Sequence, residues 1–139
     1  MAGRIVAMGG LSEPLLHFAL SLTGKDRPRV ALLPTAGGED DRGVVCMYEL
    51  LGAHADVDVV RLFGIPDSPL ERIAAADAVL VPGGNTANML AVWRVHGIDD
   101  ALGAIRPIGD GDAILVKGSR VAGLERVASA LLGGAGSTV

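Results

Sequence analysis

The chain has 139 residues, 50% of them apolar, with mean hydropathy +0.43 and a formal charge of −4, enough for one domain with a packed core. The acidic balance, the lack of any Lys/Arg cluster and an aromatic content of 3% exclude a nucleic-acid partner, whose phosphates need a basic footprint. A single cysteine, Cys46, rules out an internal disulfide or a multi-cysteine metal site, and the apolar runs are too short to cross a bilayer; no cofactor, metal or membrane partner is expected, and the expected location is cytoplasmic.

Residues 1–10 read as a first strand and turn rather than a signal peptide. Further apolar, β-branched runs fall near 28–34, 57–63, 77–81 and 112–116, with a helical period between each pair, which is the βα repeat of a parallel sheet. The first helix begins at Ser12 with Pro14 in its first turn and presents Leu15, Ala19 and Leu22 on one face. The second carries Val44, Met47, Tyr48 and Leu51 and stops at Gly52; Asp40 is its expected cap, beside the acids Glu39 and Asp41. The third opens on a capping box, Ser68-Pro69-Leu70-Glu71. The fourth runs from Thr86 to about Val95, with Met89 and Trp93 on one face and Gly97 as its stop. Asp99 is expected to cap a short helix ending before Pro107, and a last helix follows Ser119.

Right-handed crossovers then predict an α/β fold with a doubly wound, five-stranded parallel sheet, flavodoxin-like, in the order 2-1-3-4-5. It occupies residues 1–132 as a single domain, followed by a flexible tail at 133–139. Ligands belong at the strand carboxyl ends, and the most informative turn there is Pro82-Gly83-Gly84-Asn85-Thr86. A buried strand breaks at a glycine pair and restarts as a helix capped by Asn85, so unpaired amides are expected at Gly83, Gly84, Asn85 and Thr86, fit to hold a carboxylate, a phosphate or a developing oxyanion. Gly9-Gly10 lacks the third glycine of a dinucleotide loop.

Three stretches carry a resemblance: Ile5-Val6-Ala7-Met8-Gly9-Gly10, Arg29-Val30-Ala31-Leu32-Leu33-Pro34-Thr35-Ala36, and Pro82-Gly83-Gly84-Asn85-Thr86 followed by Met89-Leu90 and Trp93 to Asp99. Up to about residue 107 the chain resembles the serine peptidase family of dipeptidase E (aspartyl dipeptidase) and cyanophycinase, which has a class I glutamine amidotransferase-like fold. The resemblance implies an oxyanion-hole role for Gly84, with Gly83, Asn85 and Thr86 shaping the turn. It also implies a later G-x-S-A-G elbow with the nucleophilic serine, and a later histidine, and neither is visible in this sequence. Residues 108–132 instead resemble the C-terminal end of the Mur ligase that adds D-alanyl-D-alanine, so the chain reads as truncated or chimeric, with a substituted βα unit after Pro107.

In that unit Ser119 falls near the place of the missing nucleophile, although Lys117-Gly118-Ser119-Arg120-Val121 lacks the elbow's flanking glycines; the alternative reading of Ser119 is a helix N-cap. Lys117 is the base the sequence offers beside it, or else a solvated cation near Arg120. His54 and His96 end helices on the far edge, His17 reads as a partly buried packing residue, and Cys46 as a small core or boundary residue. The expected function is a serine-type peptidase acting on a small peptide, impaired or inactive for want of the elbow and histidine. The alternative is a non-catalytic module that binds a small anion or self-associates through an exposed apolar flank.

Overall fold

The computed structural model describes residues 4–98 and 113–117. In chain order these form β1 (Arg4–Met8), α1 (Glu13–Ser21), β2 (Arg29–Leu32), a 3-10 turn (Pro34–Gly37), α2 (Asp41–Gly52), β3 (Asp56–Val59), α3 (Pro69–Ala74), β4 (Ala78–Val81), α4 (Thr86–Val95) and β5 (Ala113–Lys117). The strands make one parallel sheet, as expected, but its order is β1-β5-β4-β2-β3 rather than 2-1-3-4-5. The correction has a physical basis in strand chemistry. β3 reads Asp56-Val57-Asp58-Val59, and its acids need a sheet edge, whereas Ala78-Val79-Leu80-Val81 is buried at every position and sits inside.

From β1 through β3 the chain advances toward one edge; from β3 through β5 it returns. Right-handed crossovers therefore put α1 and α2 on one face and α3 and α4 on the other. Two apolar clusters follow from this. One joins Leu16 and Leu20 of α1 and Leu51 of α2 to Val30, Leu32 and Leu80. The other joins Ile73 of α3 and Met89 and Trp93 of α4 to Leu33, Val79 and Val81.

Helix starts follow their sequence signals closely. Ser12 Oγ accepts from Leu15 N, Asp40 Oδ2 accepts from Gly43 N at 2.9 Å, and Asn85 Oδ1 accepts from Asn88 N at 3.0 Å. The predicted box at Ser68 does not form: Ser68 has φ +43°, its hydroxyl donates to Asp67, and no side chain caps α3. With the backbone left-handed at the cap, the hydroxyl is aimed away from the Glu71 amide. On α1 the buried face is Leu16, Ala19 and Leu20, with Leu15 and Phe18 outside; on α2 Tyr48 is half-exposed and Cys46 exposed rather than core. The expected short helix after Asp99, the last helix after Ser119 and the tail at 133–139 lie outside the described residues. Among the described residues no helix is long and apolar enough to cross a membrane.

Edge strand β3 is held to α3 by an ion pair. Arg72 donates to Asp58 through two nitrogens and to Val59 O at 3.0 Å. The hydrogen bond from Arg72 holds the Asp58 carboxyl below its usual range. Asp77 is lowered too: burial pushes its carboxyl up, but the hydrogen bonds from Lys25 Nζ and Arg29 N outweigh it. Both carboxyls are more acidic folded than unfolded, so their stabilisation is complete above the unfolded pKa of about 3.9 and disappears as pH falls through the lower folded values. Urea midpoints measured from neutral pH downward are therefore expected to fall below about pH 4. Asp58→Asn should flatten this acid limb; an unchanged limb in Asp58→Asn and Asp77→Asn would assign it elsewhere.

Candidate functional site: the crevice between the second and fourth strands

β2 and β4 are neighbours, yet the chain leaves them for opposite faces, β2 toward α2 and β4 toward α4. Such a reversal opens a crevice at the strand carboxyl ends, where doubly wound folds bind ligands. Here it is a shallow cleft of about 260 Å³ lined by Pro34, Gly37, Asp40, Val44, Met47 and Gly83, among others.

The two loops that form the crevice are locked together. Leu33 N donates to Leu80 O at 2.9 Å, and Asn85 N donates to Ala36 O at 2.7 Å. Gly84, at φ +155°, lies so close that a Cβ built there would stand 2.0 Å from Ala36 O and 2.6 Å from Gly37 N. Only glycine fits this approach. Beneath it, Trp93 Nε1 donates to the buried Thr35 Oγ1 at 3.2 Å, tying α4 to the 3-10 turn.

Of the amides expected to be unpaired, that of Asn85 is therefore spent on Ala36 O; further into the helix, the Asn88 amide donates to the Asn85 side chain. The Gly84, Thr86 and Ala87 amides have no acceptor among the described residues. They sit at the open start of a ten-residue helix, the positive end of its dipole. The corner can thus meet negative charge with fixed backbone dipoles.

Lys117 ends β5, and since Val81 pairs with Val116, its backbone stands on the same rim as Pro82 and Gly83. Ser119 lies outside the described residues. His96 closes α4 at its far end and His54 follows α2. His17 is exposed rather than packed, and it meets His54 away from the crevice, an encounter that a separation of 37 residues hid from sequence reasoning.

Glu39 is the residue here whose role the sequence does not reveal. It reads only as an acid beside the α2 cap Asp40, but it is 6% exposed, at φ +56°. Its carboxylate accepts from the backbone amides of Leu62 and Phe63, and Arg61 donates to its carbonyl at 3.2 Å. Those amides are consequently diverted from any sheet ladder, which is why β3 stops at Val59 instead of running to residue 63. Glu39 therefore braces the crevice rather than facing it.

A doubly wound α/β protein with a glycine-built corner at its switch point is the class that fold and site define. Residues 3–107 match peptidase family S51, and the chain belongs to that family. It is 33% identical over 111 residues to an uncharacterized peptidase, YgaJ, of Bacillus subtilis strain 168, covering 71% of this chain and 47% of that protein. The crystal structure of a protein assigned as a peptidase E from Listeria monocytogenes EGD-e superposes with a TM-score of 0.66 at 18% identity, over 85% of this chain and 59% of that one. The chain thus spans about half the length of the relative YgaJ. The family match covers residues 3–107 and ends at Pro107.

Proposed function

We propose that the crevice is the carbonyl-binding end of a serine-type, dipeptidase E-like site, in a chain that holds a small peptide or anion and turns it over slowly or not at all. The observation that carries this reading is the close approach of Gly84 to Ala36, beside amides that have no acceptor among the described residues. Donors oriented in advance need no reorganisation as charge develops on a carbonyl oxygen, and such donors supply much of the rate enhancement in acyl-transfer catalysis.

Ser119 and Lys117 complete the peptidase reading. Ser119 Oγ would attack the peptide carbonyl carbon as Lys117 took the hydroxyl proton. Collapse of the oxyanion would expel the amine, which would receive that proton, and water would then hydrolyse the acyl ester. No G-x-S-x-G elbow occurs in residues 1–139 to hold the serine at this point. Loss of one member of a catalytic set commonly removes orders of magnitude in rate. The second reading is a small-anion-binding module. Phe18, Val45 and Tyr48, each at least half-exposed on α1 and α2, would give it a self-associating face that light scattering can read.

The test is a fluorophosphonate probe with peptide mass mapping. An adduct on Ser119, abolished in Ser119→Ala, is the result expected of a residual peptidase. No serine adduct, with sulfate or acetyl-dipeptide binding equal in the parent and Ser119→Ala, would overturn it in favour of the binding module.

A further inference from the structure

Away from the crevice, three potential metal ligands converge on the α1–α2 face. His17 Nε2 and His54 Nε2 stand 3.2 Å apart, with ring centroids 4.0 Å apart and planes at 67°. Glu13 Oε1 is 3.6 Å from His54 Nε2, and one ligand atom from each of the three lies within 4.8 Å of the others. Glu13 and His17 are four residues apart on one helix, so they share a face; the turn after α2, fixed by His54 N donating to Leu51 O at 2.8 Å, brings His54 to them. None of the three lines the crevice.

We infer that Glu13, His17 and His54 form a binding site for a zinc-like divalent transition-metal ion. The spacing is the first argument. Two imidazole nitrogens at about 2.0–2.1 Å from a tetrahedral ion stand about 3.3 Å from each other, close to the spacing of His17 and His54, and a carboxylate oxygen on the same ion needs a similar separation. Ligand chemistry is the second: two imidazoles and one carboxylate suit zinc and its neighbours, and magnesium or calcium prefer oxygen ligands throughout. Charge is the third. The cations in the adjoining cavity are occupied, Lys25 by Asp77 and Arg27 by Asp56, so neither competes for the Glu13 carboxylate.

In the hydrogen-bonded pair one Nε2 carries a proton. Binding moves that ring to its Nδ1–H tautomer, so that both Nε2 lone pairs face the ion. Three protein ligands leave the fourth tetrahedral position to water, on the exposed side of the helix pair.

Untagged protein, stripped with chelator and titrated calorimetrically with Zn2+, is expected to bind one ion per chain. Co2+ in place of Zn2+ should give the intense visible absorption of a tetrahedral site, and Mg2+ should not bind. His17→Ala and His54→Ala, both at exposed or half-buried positions that leave the fold intact by circular dichroism, should each weaken Zn2+ about 100-fold or more, beyond the 10- to 100-fold typical of losing an outer-shell partner. Glu13→Gln should weaken it less, and His96→Ala not at all. The inference is overturned by failure to take up one equivalent of Zn2+, or by uptake that survives in the His17→Ala/His54→Ala double variant.

Discussion

Gly84→Ala is expected to destabilise the protein by about 4 kcal/mol or more, at the upper end of single-substitution effects. The new Cβ would stand 2.0 Å from the oxygen and 2.2 Å from the carbon of the Ala36 carbonyl, and 2.6 Å from Gly37 N, all of them backbone atoms. No rotamer change can relieve such a contact. The loops must part, and parting them stretches or breaks the bond from Asn85 N to Ala36 O; the φ of +155° adds strain for any L side chain. Gly52→Ala is the matched control. Nothing lies within 4 Å of its added Cβ, it is helical, and a gain of about 0.4–1 kcal/mol is expected there. Urea unfolding followed by circular dichroism compares the two. A Gly84→Ala variant as stable as Gly52→Ala would mean that the β2 and β4 loops do not approach so closely, and the proposed oxyanion corner would go with them.

The corner is legible in the sequence because its determinants are local. A strand of four apolar residues, a glycine pair, a capping asparagine and the Met89/Trp93 face all lie within one short stretch, and α4 occupies Thr86–Val95 as the pattern indicates. Asp40 and Ser12 are readable as caps for the same reason. What the corner packs against is not readable. That Gly84 needs the Ala36 carbonyl, or that Glu39 turns inward to the Leu62 and Phe63 amides, depends on strand neighbours chosen across the chain. Periodicity identifies strands without ordering them, which is why β1 stands at an edge although the simplest winding puts it inside the sheet.

Periodicity also fails where apolar residues are dense. Leu15, Leu16, Phe18, Ala19 and Leu20 fill most of α1, so a stripe beginning at Leu15 and one beginning at Leu16 fit equally well until the sheet selects the second. His17 then turns outward as a neighbour of the buried Leu16, and its meeting with His54 follows from a helix rotation that the sequence leaves open.

Trp93→Ala is expected to destabilise by about 3–5 kcal/mol, the range for removing a buried aromatic side chain. Trp93 is 1% exposed, and it is the single tryptophan of the chain. Its ring fills the cluster with Leu33, Val81 and Met89, while its indole N–H donates to Thr35, so one side chain joins α4 to the turn that follows β2. Trp93→Phe separates the two contributions. It retains most of the apolar contact but leaves Thr35 without its donor, and a loss of about 1 kcal/mol beyond the change in packing is expected. A double-mutant cycle with Thr35→Val isolates that hydrogen bond, because in Trp93→Phe/Thr35→Val the second change should be nearly neutral. Since the same contact anchors Thr35, next to Ala36, Trp93→Phe should weaken the proposed anion binding at the crevice more than an equally destabilising truncation on the other face of the sheet, such as Leu51→Val. Equal losses of binding in those two variants would show that the indole only stabilises the fold and does not position the corner.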